Sequence, residues 1–173
     1  EIDLIITSPP YLNSRDYTDI YMLELKVLGL INSHEELRVL RKNTLRSHVQ
    51  VSYENIIPIE NERLKKSLYE MSKNEQKVWN SDIINMICGY FEDMQFLFSE
   101  FAKKMRKGGI IYFNVANSAY YGVEVPVDYI IADIAESCGF KVREIRKARD
   151  LKTSPQQSAK IGKLRESVIV IDY

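Results

Sequence analysis

The sequence predicts an α/β fold on three observations. A short, β-branched run, Ile2-Asp3-Leu4-Ile5-Ile6, stops abruptly at two prolines. A broad amphipathic helical pattern from Asp82 to Met105 leads through Gly108-Gly109 into a second apolar run, Ile110 to Val115. From there the pattern alternates: a helix from Val127 to Cys138, then strands at Lys141–Arg149 and Ser167–Asp172. Strands separated by helical patterns of this length are the signature of a layered α/β domain. The 173 residues are enough for one such domain with a real core.

The first run reads as a buried strand, ended because proline cannot donate to a sheet ladder. Tyr17 to Leu30 reads as a helix with Ile20, Leu23, Val27 and Leu30 on one stripe. Ser33-His34-Glu35-Glu36 reads as a capping box opening a helix to about Arg46. Residues 49–60 are irregular. Glu60 to Trp79 is charged, with Leu64, Leu68, Met71 and Val78 at helical spacing, and is expected to project from the body. The next helix has a wide apolar face, Ile83, Ile87, Tyr90 or Phe91, Met94, Leu97 or Phe98, Phe101 and Met105. Its last turn is read to carry Lys103, Lys104, Arg106 and Lys107, which suit the negative end of a helix dipole. Gly139 is placed to stop the helix from Val127. Lys141 to Arg149 alternates basic with apolar positions, and the final strand is apolar enough to be central.

Composition excludes several classes. The chain is 45% hydrophobic and 28% charged, with zero formal net charge. No stretch is apolar for long enough to span a bilayer, and no signal peptide precedes the first strand, so a cytoplasmic location is expected. The chain starts without an initiator Met, which points to a longer polypeptide. Cys88 and Cys138 lack metal-ligand spacing and read as small buried hydrophobes. His34 and His48 have no partner at zinc spacing and read as surface residues. No metal is expected.

The residues Thr7-Ser8-Pro9-Pro10-Tyr11 carry the most information. A strand ending there places a hydroxyl, a rigid backbone and an aromatic face at one sheet edge. These residues resemble the catalytic motif of the DNA amino-methyltransferases in its S-P-P-Y form. The continuation Leu12-Asn13-Ser14-Arg15-Asp16-Tyr17-Thr18, followed by Leu23-Glu24-Leu25, is similar to the cytosine-N4 branch. Ser rather than Asp at the motif's first position leans toward cytosine N4 over adenine N6.

The resemblance implies the second half of a Rossmann-like class I methyltransferase sheet, with a C-terminal antiparallel hairpin and a helical insertion at about residues 30–80. That insertion would serve target recognition or act as a dimer arm, giving a homodimer; a plain helical cap is equally compatible. Residues 1–173 are then one partial domain. The family binds S-adenosylmethionine on a glycine-rich F-x-G-x-G turn. The seven glycines here, Gly29, Gly89, Gly108, Gly109, Gly122, Gly139 and Gly162, contain no G-x-G spacing. The cofactor site is therefore expected to be incomplete, with Thr7 and Ser8 on its near wall and the missing half supplied in cis or in trans.

The resemblance also implies the chemistry. The lone pair of an exocyclic amine is delocalised into its ring. Hydrogen bonds accepted from its N–H groups by Ser8 Oγ and the Pro9 carbonyl would pull the nitrogen toward tetrahedral geometry and free that pair. Pro9-Pro10 has no N–H to compete, and its fixed φ aims the carbonyl. Tyr11 would stack on the base, worth about 1–3 kcal/mol. A base in double-stranded DNA must first be flipped out, costing a few kcal/mol.

Asn13, Arg15, Asp16 and Tyr17 continue the pocket or touch DNA; Asp16 or Ser14 can equally cap the following helix. Asn114 and Asn117 end the neighbouring strand and face the same crevice, although Asn117 can equally cap a turn. Two basic stretches offer phosphate contacts or are equally plain solvated faces. One spans Lys141 to Arg165 and includes Lys152, Lys160, Lys163 and Arg165. The other holds Arg38, Arg41, Lys42, Arg46 and His48. Arg165-Glu166 reads as a family feature or as a surface pair. The rival readings are an adenine-N6 enzyme, a fragment that binds DNA or a partner without catalysis, and an RNA or protein amine methyltransferase.

Overall fold

The computed structural model describes residues 1–13, 15–53, 56–73, 82–153 and 161–173. In chain order the elements are β1 (Ile2–Thr7), α1 (Tyr17–Ile20), α2 (Met22–Val27), α3 (His34–Lys42), α4 (Glu62–Ser72) and α5 (Asp82–Lys104). Then come β2 (Met105–Ala116), β3 (Ser118–Tyr120), β4 (Val123–Val125), α6 (Val127–Ser137), β5 (Lys141–Lys152) and β6 (Lys163–Asp172).

The fold is mixed α/β around one four-stranded sheet in the order β1-β2-β6-β5. β1 runs parallel to β2, with Thr7 opposite Phe113. β2–β6 and β6–β5 are antiparallel, so the chain ends in the expected hairpin and its last strand lies inside the sheet. A parallel pair needs a long crossover, which the helical residues between β1 and β2 provide. β3 and β4 form a separate two-stranded hairpin that the sequence reading missed. Its turn, Tyr121-Gly122, has positive φ at both residues, the conformation that joins tightly paired strands.

α5 and α6 cover one face of the sheet. From β2 and β6, Ile111, Phe113, Val115, Ile169 and Ile171 pack against Met94 and Phe98 of α5 and Ile131 of α6, all within one core cluster. Phe98 sits at the centre, with ring centroids 5.2 Å from Phe113 and 5.8 Å from Phe140. Burying such a ring stabilises the fold by about 1.5–3 kcal/mol. Gly139, at φ +89°, ends α6 as expected. The opposite sheet face holds Leu4 and Ile6, and Ile6 is 74% exposed. Among the described residues β1 has no strand on its outer edge.

Several expectations are corrected. The helix from Tyr17 to Leu30 is broken at Tyr21 into α1 and α2, and its apolar stripe faces outward: Leu23 is 71% and Val27 77% exposed. α4 does not stand off the body, because Leu64 and Met71 are buried in the main core; Val78 lies outside the described residues. In the capping box, Ser33 Oγ accepts from Glu36 N (3.2 Å), but the Glu36 carboxylate accepts from Asn32 N (2.7 Å) rather than from Ser33. His48 is buried, not on the surface, and burial lowers its pKa. Cys88 is buried, its thiol pushed up to about 11 by burial, whereas Cys138 is only half-buried. Both thiols are free. No described helix is long and apolar enough to cross a membrane.

Candidate active site

Strand parity builds the site. Residues of even number on β1, β2 and β6 share the sheet face that α5 and α6 leave uncovered. At its C-terminal rim β1 passes into Ser8-Pro9-Pro10-Tyr11, and Asn114 of β2 and Glu166 of β6 arrive from the neighbouring strands. The loop is anchored one residue later: Leu12 is fully buried, and its carbonyl accepts from Tyr120 Oη (3.1 Å) and from Ser118 Oγ.

Four side chains converge at the corner so formed. Tyr11 Oη donates to Glu166 Oε1 (2.7 Å). Asn114 Nδ2 lies within donating distance of Tyr11 Oη (2.7 Å), Glu166 Oε1 (2.9 Å) and Ser8 Oγ (3.4 Å). Ser8 Oγ donates to Tyr11 Oη (3.3 Å). Arg149 of β5 closes the cluster by ion-pairing with the other Glu166 oxygen. Ser8 is exposed, Tyr11 and Asn114 are half-buried, and Glu166 is 7% exposed. The corner is therefore open at Ser8 and closed at Glu166.

The electrostatics follow from this placement. Burial opposes the charge on Glu166, but hydrogen bonds from Asn114, Tyr11 and Arg149 outweigh it and hold the carboxyl below its usual range. The Tyr11 phenol is raised, first by burial and then, against the Ser8 hydrogen bond, by the Glu166 contact and charge. Both groups keep their neutral-pH states, a carboxylate and a protonated phenol.

Other sequence-nominated residues have different duties. Thr7 is half-buried at the rim, opposite Phe113. Asn13 and Arg15 are exposed just beyond the corner, with Arg15 N donating to Asn13 Oδ1 (3.1 Å). Tyr17 is half-buried and stacks with Tyr21, centroids 6.5 Å apart. Asp16 is buried and caps α1, accepting from Thr18 N (2.8 Å) and pairing with Arg41, so its capping role prevails over substrate contact. Asn117 is buried too: Oδ1 accepts from Asp128 N (3.2 Å) at the start of α6 and Nδ2 donates to Glu124 (2.9 Å). It secures a helix and does not face the corner.

The basic set also divides. Arg46 is engaged within the protein, its guanidinium bonding Asp93 and Glu92 (2.7 Å) on α5. Gly89 makes that approach possible; a Cβ there would sit 2.9 Å from Arg46 Cδ. Arg165 is likewise occupied by Asp128 (2.7 Å), a fully buried carboxylate, and lies over the Tyr129 ring. Arg165 and Glu166 are thus not a surface pair, since they point to opposite faces of β6. Lys152 and Lys163 are exposed and face each other across the β5–β6 hairpin; Lys160 lies outside the described residues. Beside this hairpin an open cleft of about 400 Å³ is lined by Asn117, Tyr129, Lys147, Asp150, Lys163 and Arg165. Its residues lie on the far side of β6 from Ser8, and its lysines are partly neutralised by Asp150.

Glu166 and Arg149 are the members that sequence did not place at this corner. The available signal was a carboxylate inside an otherwise apolar final strand. Among the described residues no cluster of His, Cys, Asp and Glu could hold a metal ion.

An exposed hydroxyl on a motif strand, backed by a tyrosine, an amide and a carboxylate, suits recognition of an amino group. By sequence the chain is similar to Type II methyltransferases over part of their length. It is 33% identical to the Type II methyltransferase M.BsoBI of Geobacillus stearothermophilus, an alignment covering 97% of this chain and 38% of that one. It is 32% identical to the Type II methyltransferases M.AvaI of Nostoc sp. and of Anabaena variabilis, over 83% of this chain and 32% of each relative. The chain therefore spans only about a third of the length of these curated relatives. No family model matches the chain, and no solved structure does.

Proposed function

We propose that this chain forms the base-holding wall of a DNA methyltransferase that transfers a methyl group from S-adenosylmethionine to N4 of a flipped cytosine. The supporting observation is the convergence of Ser8, Tyr11 and Asn114 at the end of β1, with Ser8 exposed. In this reading the sheet is the second half of a Rossmann-like class I methyltransferase sheet. The unpartnered edge of β1 and the exposed Leu4 and Ile6 beside it suit the addition of the remaining half. Residues 30–80, spanning α3 and α4, form an insertion available to target recognition or a dimer contact.

The fit to the cofactor is one-sided. Thr7 and Ser8 stand at the rim where a methyl donor would approach the base, but the seven glycines form no G-x-G turn to cradle its adenosine. The donor, when bound, supplies an electrophilic methyl group. This chain's own residues handle the acceptor. Ser8 Oγ and the Pro9 carbonyl accept the two amino hydrogens and release the nitrogen lone pair from the ring. Tyr11 covers one face of the base. Catalysis is then largely alignment and polarisation. The product ammonium is acidic and loses its proton to water without a dedicated base.

The test supplies the intact protein with methyl-labelled S-adenosylmethionine and duplex DNA, then digests the DNA to nucleosides. N4-methylcytosine is the expected product. N6-methyladenine would keep the reaction class and overturn the base assignment. DNA that stays unlabelled would overturn the reading.

A further inference from the structure

We infer that Glu166 is a positioning residue that sets the hydrogen-bond direction of the corner, so that Ser8 meets the substrate's amino group with a lone pair and not with its own O–H. This rests on the amine-methylating reading above. A serine hydroxyl can face a partner either way. The two faces have opposite consequences here. A lone pair accepts an amino hydrogen and frees the nitrogen for attack. An O–H aimed at that nitrogen occupies the very electron pair the reaction needs. Something must decide where the Ser8 proton goes.

The decision starts at Glu166. A carboxylate only accepts, and three donors keep this one ionised although it is 7% exposed. It takes the Tyr11 O–H at 2.7 Å. With its proton so committed, Tyr11 Oη has only lone pairs left for its other neighbours. It accepts from Asn114 Nδ2 at 2.7 Å and from Ser8 Oγ at 3.3 Å. The Asn114 side chain must present nitrogen here, since its oxygen would oppose the carboxylate 2.9 Å away. Its two protons go to Tyr11 Oη and Glu166 Oε1, and the nitrogen lies 3.4 Å from Ser8 Oγ on the inner side. The Ser8 proton therefore points inward, and lone-pair density is left on the exposed side. Arg149 ties down the second Glu166 oxygen, so the carboxylate cannot rotate away. The chain Ser8→Tyr11→Glu166 runs in one direction, and its fixed end is on β6, two strands from the motif.

Glu166→Gln tests this with an isosteric change. The glutamine carbonyl satisfies Arg149, so its NH2 faces Tyr11 and donates to Oη. The Tyr11 O–H then turns to Ser8, and the Ser8 O–H turns outward. In the intact protein kcat should fall about 10- to 100-fold, the worth of one hydrogen bond to a charged group. KM for duplex DNA should stay within about twofold, as expected when a contact acts only on the chemical step. Tyr11→Phe removes the linking hydroxyl, so adding Glu166→Gln to Tyr11→Phe should cost nothing further. A wild-type kcat in Glu166→Gln overturns the inference. So does a loss that is undiminished in the Tyr11→Phe background, which marks a merely structural role. An activity-free readout accompanies these: in carbon-13 tyrosine-labelled protein, Tyr11 should titrate lower in Glu166→Gln, because the carboxylate's contribution is gone. If the wild-type protein methylates nothing, the amine-methylating reading fails, and an unchanged Tyr11 titration would independently overturn the hydrogen-bond direction.

Discussion

Two polar clusters start within a few residues of each other in sequence, at Tyr11 and Asp16, and use nearly the same parts. The corner joins Tyr11, Asn114, Glu166 and Arg149 and ends at Ser8. The second cluster, on the helical side, joins Asp16, Thr18 and Arg41 and reaches His48 through Thr44. Each sets an arginine on a buried carboxylate beside hydroxyl groups. They differ in where the chain of contacts ends. In the corner it reaches an exposed hydroxyl. In the helical cluster it reaches His48, which is 1% exposed. Residue type alone therefore does not separate chemistry from anchoring. A cluster can act on a ligand only if one member faces outward with an uncommitted lone pair or proton.

The sharpest way to break this contrast is to remove the arginines. Arg41→Ala leaves Asp16 as an uncompensated buried charge and severs α1 from α3. It should cost about 3–5 kcal/mol of stability by urea denaturation. Arg149 is 67% exposed, so Arg149→Ala should cost about 1 kcal/mol or less and act on turnover instead. Equal losses of stability would erase the distinction between the two clusters.

Tyr11→Ala comes next. Removing the stacking face should weaken binding of duplex DNA carrying a fluorescent base analogue at the target position by about 1–3 kcal/mol. The melting temperature should move little, because the ring is half-buried while its neighbour Leu12 holds the loop in the core. A large fall in melting temperature would make the ring a core element and the corner no more open than the helical cluster.

These two regions were not equally legible in the sequence. β1 as a strand and its proline stop were, because apolar β-branched runs and imino acids report directly on backbone geometry; its expected burial was not, since it lies at the sheet edge with Leu4 and Ile6 exposed. Also legible were α5, α6 and the C-terminal hairpin, whose periodicity is set by one large buried face. The break at Tyr21 was not. The stripe of Ile20, Leu23, Val27 and Leu30 has helical spacing but no partner surface among the described residues, and ion pairs from Arg41 hold α1 against α3. The ion pairs of Arg46 and Arg165 were not legible, because a carboxylate 47 or 37 positions away leaves no trace in local pattern. Asp16 and Asn117 carried a visible alternative, capping, and the fold selected it. Glu166 was not placed at the corner because the register that sets Asn114 beside it is long-range.

A pH titration sharpens the contrast more gently. Burial depresses the His48 pKa below its ordinary value of 6.5. The unfolded chain then takes up a proton that the folded one resists. Stability should be flat above that value, fall as pH drops through it, and level off below the folded pKa. His48→Gln should flatten that step in urea midpoints between neutral and mildly acidic pH. A step that persists in the variant would assign it to other groups. Glu166 belongs to a different window, since its depressed carboxyl contributes stability above the usual carboxylate range and loses it only as pH falls through the lowered value.

The smallest expected effect concerns the hairpin tip, the one part of the proposed DNA-facing set whose described lysines remain exposed. Lys152 and Lys163 face each other across β5 and β6, and among the described residues Lys163 has a nearby carboxylate, Asp150 at 3.6 Å. Each phosphate contact contributes about 0.9 to the slope of log affinity against log salt. Converting both lysines to glutamate should reduce that slope by about 2 if both meet phosphate, with kcat at saturating DNA unchanged. Because Arg46 and Arg165 are committed inside the protein, their replacement should change stability and leave the salt slope alone. An unchanged slope in the lysine variant would make the tip ordinary surface, and DNA would have to be held by other parts of the protein while this chain contributed the base-facing corner.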